Sequence, residues 1–187
     1  MEAKRYDEAV ALFDRQLAAD GSDWRTWFLR GTAHERAGRW SLAEQDLKQA
    51  LALAPEEPEV LNYLGYTWVD RGERLAEALG MLERAVRLRP RSGAIVDSLG
   101  WAQYRLGNFA EAVQTLERAA ELEPGDPTIN DHLGDAYWRT GRKVEAHFQW
   151  RRVLSLEPEA PVRAAAETKL ASMLGPDAVS RAVAVAP

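Results

Sequence analysis

The chain has no cysteine. That removes disulfides, thiolate metal sites and cysteine nucleophiles, and it leaves the compartment open. No apolar run approaches the ~20 residues that a membrane-crossing helix needs. Histidine occurs only as His34, His132 and His147, with no short ligand spacing and no His-Glu-x-x-His sequence. A Gly-x-Ser-x-Gly elbow and a phosphate-binding loop are also missing. So is any basic excess: the net charge is −5, whereas a surface that binds nucleic acid is normally positive. Arg71, Arg74, Arg84, Arg87, Arg89 and Arg91 do cluster, but Glu73, Glu77 and Glu83 interleave with them. A solvated, partly paired face is predicted there. Together these absences point away from an enzyme, a cofactor, a bound metal and a nucleic-acid partner.

What is present is a period. The chain has 187 residues, 46% hydrophobic and 28% charged, enough for a continuous core. A glycine recurs at Gly31, Gly65, Gly100 and Gly134, at steps of 34, 35 and 34. Turn glycines follow at Gly38, Gly72, Gly107 and Gly141, and then alanines at Ala43, Ala78, Ala112 and Ala146. Bulky residues come next at Leu47, Leu82, Leu116 and Trp150, and each unit closes on Pro55, Pro90, Pro124 or Pro158. A mid-helix glycine costs about 1 kcal/mol relative to alanine. Its recurrence therefore predicts a close approach of two helices, in which Gly100 faces a neighbouring helix and, with Ala112, lets the two backbones approach.

These columns resemble the tetratricopeptide repeat, whose pattern runs Trp-x-x-Leu-Gly-x-x-Tyr, then Ala, a bulky residue and Pro. Trp27 fills the opening aromatic place once; Leu61, Val96 and Asn130 stand in it elsewhere. The resemblance covers roughly Lys4 to Pro158. It implies an all-α, right-handed superhelix of antiparallel helix pairs that holds a protein or peptide partner. The stretches "LNYLGYTWVDRGERLAEAL", "AIVDSLGWAQYRLG" and "INDHLGDAYWRTGRKVEAHFQW" further resemble the C-terminal repeats of large bacterial envelope-associated members. Some of that group are exported adaptors for envelope proteins. Without a signal sequence in "MEAKRYDEAV", a cytoplasmic or a periplasmic place is open.

The expected organisation starts inside a repeat. Residues 1–21 supply a second helix alone, with more repeats expected before Met1 in the native protein. Four units follow over 22–160, at about 24–57, 58–92, 93–126 and 127–160. A capping helix is predicted over 161–175, with Arg163, Glu167 and Lys169 off its apolar stripe, closed by Gly175-Pro176. A flexible tail follows over 176–187. Asp126-Pro127 reads as a helix start, and Ser41 with Glu44 and Asn108 with Glu111 read as capping boxes. The second unit carries one extra residue in its turn.

Helical geometry gives the candidate site. With Gly100 at zero and 100° per residue, Asp97, Trp101, Tyr104 and Arg105 fall within roughly 40–140°, away from Val96 and Leu99, which suit the core. The next unit repeats the set as Asp131, Asp135, Trp138 and Arg139. Asn62, Tyr66, Val69 and Asp70 stand there in the second unit, and Phe28, Thr32, Glu35 and Arg36 in the first. In the resembled family, first helices line the concave groove. Phe28, Asn62, Tyr66, Asp97, Trp101, Tyr104, Arg105, Asp131, Asp135, Trp138 and Arg139 are therefore the expected partner-binding residues. Trp, Tyr and Arg dominate binding hot spots. The plainer reading is that the aromatics pack between repeats. A lysine clamp for an acidic C-terminus is absent. Self-assembly through the Phe13 end, or sugar stacking on Tyr66, Trp101 and Trp138, are the alternatives to peptide binding. His132 is expected at the surface or in the groove, three residues before Asp135.

Overall fold

The computed structural model describes the backbone of residues 2–174 and the side chains of 5–173. Among the described residues there are ten helices and no strand. The expected closure at Gly175-Pro176 and the tail over 176–187 lie outside them. Two units divide the chain. The first, Met1–Pro90, holds α1 (Glu2–Ala19), α2 (Trp24–Arg36), α3 (Trp40–Leu53), α4 (Pro58–Arg71) and α5 (Leu75–Leu88). The second, Arg91–Pro187, holds α6 (Gly93–Arg105), α7 (Phe109–Leu122), α8 (Pro127–Arg139), α9 (Lys143–Ser155) and α10 (Ala160–Leu174).

Within each unit, successive helices pair as antiparallel hairpins, α2 on α3 and α4 on α5, then α6 on α7 and α8 on α9. Each hairpin turns through a glycine in the left-handed region, with φ between 71° at Gly72 and 86° at Gly107. An L side chain rarely adopts that conformation. The extra residue of the second unit is absorbed by Arg74, which takes a left-handed conformation, φ 46°, just before α5.

The recurrent helix glycines sit on the bulky column. An ideal Cβ at Gly31 would lie 3.0 Å from Leu47 Cγ, at Gly65 3.1 Å from Leu82 Cγ, and at Gly100 2.6 Å from Leu116 Cγ. At Gly134 it would lie 2.5 Å from Trp150 Nε1. Close approach is thus the reason for the column, and at Gly100 the side chain that comes closest is Leu116. The bulky residues it admits are buried in both units.

Helix starts divide into two kinds. Asp126 caps α8, accepting from the Thr128 and Ile129 N–H groups at 2.7 and 3.0 Å, with Pro127 next. Asp23 and Glu57 cap α2 and α4 likewise. The expected capping boxes do not form: Ser41 lies inside α3, and neither Arg39 nor Asn108 makes a side-chain cap. The tight turn explains this. Asn108 has ψ 60°, not the extended ψ 121° of Asp126, and its N–H already donates to the Gln103 carbonyl at 2.9 Å.

The arginine cluster is partly paired, as expected: Arg71 with Glu73 and Arg74 with Glu77, and, beyond the interleaved glutamates, Arg84 with Glu56 and Arg89 with Glu59. No described helix is long and apolar enough to cross a membrane.

Candidate functional site

The first helices of a unit stand side by side, α6 against α8 and α8 against α10. One side chain of the following helix enters between two positions of the preceding one. In α6 those positions are Asp97 and Trp101, and the incoming group is His132 of α8. Its Nδ1 lies 3.0 Å from both Asp97 carboxylate oxygens, and its ring stacks on Trp101 at 4.1 Å and 10°. Trp101 also stacks on Tyr104 at 4.8 Å and 7°. Tyr104 in turn meets Phe109 edge-on at 5.3 Å, and the Arg139 guanidinium lies 4.0 Å over Phe109.

This arrangement corrects several expectations. The helical wheel puts Asp97 on an open face, but it is 5% exposed, and His132, expected at the surface or in the groove, is also buried. A buried charge is tolerable when it is paired and hydrogen-bonded, and each is the other's partner. Leu99 is only half-buried, whereas Val69, assigned to the open face, is fully buried.

In α8 the two positions are Asp131 and Asp135, and the incoming group is Lys169 of α10. Its ammonium lies 2.8 Å from both Asp131 oxygens and 2.7 Å from Asp135 Oδ1. Trp150 Nε1–H also donates to Asp135, at 3.2 Å. Lys169, expected off the apolar stripe, is half-buried and holds the cap to the last repeat. Trp138 is half-buried against Trp150 at 5.8 Å, with the Lys143 ammonium 5.2 Å over its ring.

The first unit shows the same motif in aromatic form. Phe28 of α2 receives Tyr63 of α4 edge-on at 5.4 Å, and Tyr63 donates to Glu35 at 3.2 Å. Asn62, Tyr66 and Arg105 are half-buried. Asn62 Oδ1 and the Trp101 Nε1–H are buried without a hydrogen-bond partner. Sequence reasoning missed Tyr63 and Lys169 as site-forming groups. The available signal was the column one place after the expected residues, Tyr63 and His132, both large and polar-tipped.

Burial pushes the His132 imidazole down, but the Asp97 charge and hydrogen bond outweigh it, so its pKa is raised. Burial likewise lowers Lys169, and Asp135 and Asp131 more than reverse it. Burial raises Asp135 despite Lys169, because one cation serves two carboxylates. A raised histidine pKa stabilises fully below the unfolded value near 6.5 and is lost as pH rises through the folded value. The stability advantage of the natural chain over His132→Gln should therefore shrink between neutral and alkaline pH. Urea unfolding across that range checks it; an advantage that grew with pH would contradict the pairing.

Among the described residues no group of three or more His, Asp or Glu side chains is placed to hold a metal. A model of the tetratricopeptide repeat family matches residues 3–159. The chain belongs to the tetratricopeptide repeat family. A TPR repeat-containing protein of Pseudomonas aeruginosa is 36% identical over 85 residues, 46% of this chain and 14% of that protein. A lipoprotein NlpI homolog of Haemophilus influenzae is 53% identical over 38 residues, 20% of this chain and 12% of that protein. The chain thus spans a small part of the curated relatives it matches.

Among solved structures, a thermophilic TPR protein of Thermus thermophilus superposes with a TM-score of 0.73 at 26% identity, covering 89% of this chain and 91% of that one. MamA of AMB-1 does so with a TM-score of 0.70 at 27% identity, covering 83% and 91%. The fold is that of a tetratricopeptide solenoid, and in general the family supplies protein-interaction scaffolds rather than catalysts.

Proposed function

We propose that the chain is a non-catalytic scaffold or adaptor that holds a protein or peptide segment along the exposed edges of its first helices. One observation carries the reading. Two successive first helices, α6 and α8, end on the same pair, Tyr104 with Arg105 and Trp138 with Arg139, while the acids before them, Asp97, Asp131 and Asp135, are engaged between helices. The aromatics of both pairs are only half-buried, and Arg139 is exposed. The inter-repeat stack holds Trp101 and Tyr104 rigidly, so little side-chain freedom is lost when a ligand docks. Phe28, Asn62 and Tyr66 offer the corresponding edge in the first unit.

Peptides selected from a random library displayed on phage test this. Trp138→Ala and Arg139→Ala should each weaken the selected peptides by roughly 2 kcal/mol, about thirtyfold. Peptides that bound both variants unchanged would contradict the proposal, as would a library that yielded no binder.

A second reading is self-assembly through the Phe13 end of α1; Phe13 is itself half-buried, and the neighbouring Leu12, 47% exposed, favours it. Sedimentation equilibrium separates it, because a monomer mass at all concentrations excludes it. Sugar stacking at Trp101 is disfavoured by the two parallel rings, Tyr104 and His132, already on that indole.

A further inference from the structure

The last repeat departs from the others at two solvent-facing positions of its second helix. Counting from the alanine column, the places two before and two after carry Ser41 and Gln45 in α3, Ala76 and Gly80 in α5, and Ala110 and Gln114 in α7. All six are exposed. In α9 the same places carry Val144 and Phe148, 82% and 63% exposed. Large apolar side chains gain nothing from water, and exposed apolar patches of this kind mark contact surfaces.

Phe148 borders an open groove of about 390 Å³ between α7 and α9, floored by Leu133 and walled by Ala120. The polar groups around it are mainly acceptors. Glu121 rims it, and no hydrogen bond or ion pair to its carboxylate is found among the described residues. Gln149 Oε1 is buried without a partner. Glu117 is held in place by the Tyr137 hydroxyl at 2.8 Å and Arg142 at 2.9 Å. Two carboxylates, Glu117 and Glu121, line the groove against one cation, Arg152, which the Pro124 carbonyl holds at 3.2 and 2.9 Å. An apolar floor under a rim of acceptors suits a long side chain with an aliphatic stem and a cationic head.

We propose that the α7–α9 groove is a second docking surface, which takes a basic segment of a partner protein. An arginine or lysine stem lies over Phe148, Ala120 and Leu133, with its head at Glu121 and Gln149, and a bulky apolar neighbour covers Val144. A guanidinium over Phe148 gains a cation–π contact as well. The surface is separate from the first-helix edges, so this proposal stands whether or not those edges bind.

The test uses the isotope-labelled chain and a blocked Leu-Arg-Ala-Leu-Arg-Ala peptide, beside counterparts with citrulline or glutamate for arginine. The arginine peptide should shift backbone amides in Glu117–Glu121 and Val144–Arg152. Phe148→Ser and Glu121→Lys should each weaken it by about tenfold or more. The unfolding midpoint should stay in place, since the other repeats carry small or polar residues at the Phe148 position. Any of four results would overturn the proposal: no binding, equal binding of the citrulline or glutamate peptide, unchanged affinity in both variants, or shifts confined to α6 and α8. A Phe148→Ser chain that failed to fold would also overturn it, by making Phe148 a packing residue.

Discussion

Trp150→Ala is expected to lose about 3–5 kcal/mol of stability. Trp150 is 3% exposed and stands in the bulky column, against Gly134 of the facing helix. Its indole N–H is satisfied by Asp135, and Lys169 lies 5.7 Å over its ring. Truncation leaves a cavity in the core of the second unit and an Asp135 carboxylate short of one donor. Urea unfolding followed by circular dichroism measures the loss. The half-buried Trp138 should cost less, because part of its ring already faces water. Equal losses at the two tryptophans would place both in the core and remove Trp138 from the proposed binding edge.

Gly100→Leu should cost about 1–3 kcal/mol or more through overpacking. Even a bare Cβ there would meet Leu116 Cγ at 2.6 Å and the Leu116 backbone nitrogen at 3.3 Å. The side chain could swing aside; the backbone of α7 cannot, short of spreading the hairpin. Gly80 provides the control, since an added Cβ there has nothing within 4 Å. Gly80→Ala should therefore raise stability by up to about 1 kcal/mol, because alanine is the better helix former. Thermal unfolding of both variants reads the contrast. An unchanged midpoint for Gly100→Leu would mean that the packing face had been misassigned.

The fold was legible because it rests on residues that repeat. Gly31, Gly65, Gly100 and Gly134 mark one contact four times, and the turn glycines mark the hairpins. What repeats in sequence repeats in packing. The site was less legible, because it forms between consecutive first helices, and a helical wheel describes one helix at a time. The wheel puts Asp97 and Trp101 on one face of α6 and leaves that face open. It could not show that His132, 35 residues on, enters between them and turns an open face into a buried pair. Lys169 was obscured for the same reason: its partners, Asp131 and Asp135, lie on another helix. The capping boxes failed differently. Ser41 falls inside α3, past the cap position, and the left-handed glycine turn holds Asn108 at a ψ where a side-chain cap does not form.

The central claim is that the first helices, through the repeated aromatic and arginine pair, hold the partner. Hydrogen exchange with and without a selected peptide tests it most directly. A bound segment on those edges should slow exchange along α6 and α8, around Tyr104, Arg105, Trp138 and Arg139, and leave the interior of α3 and α5 unchanged. Protection confined to α7 and α9, or none on any first helix at saturating peptide, would contradict it.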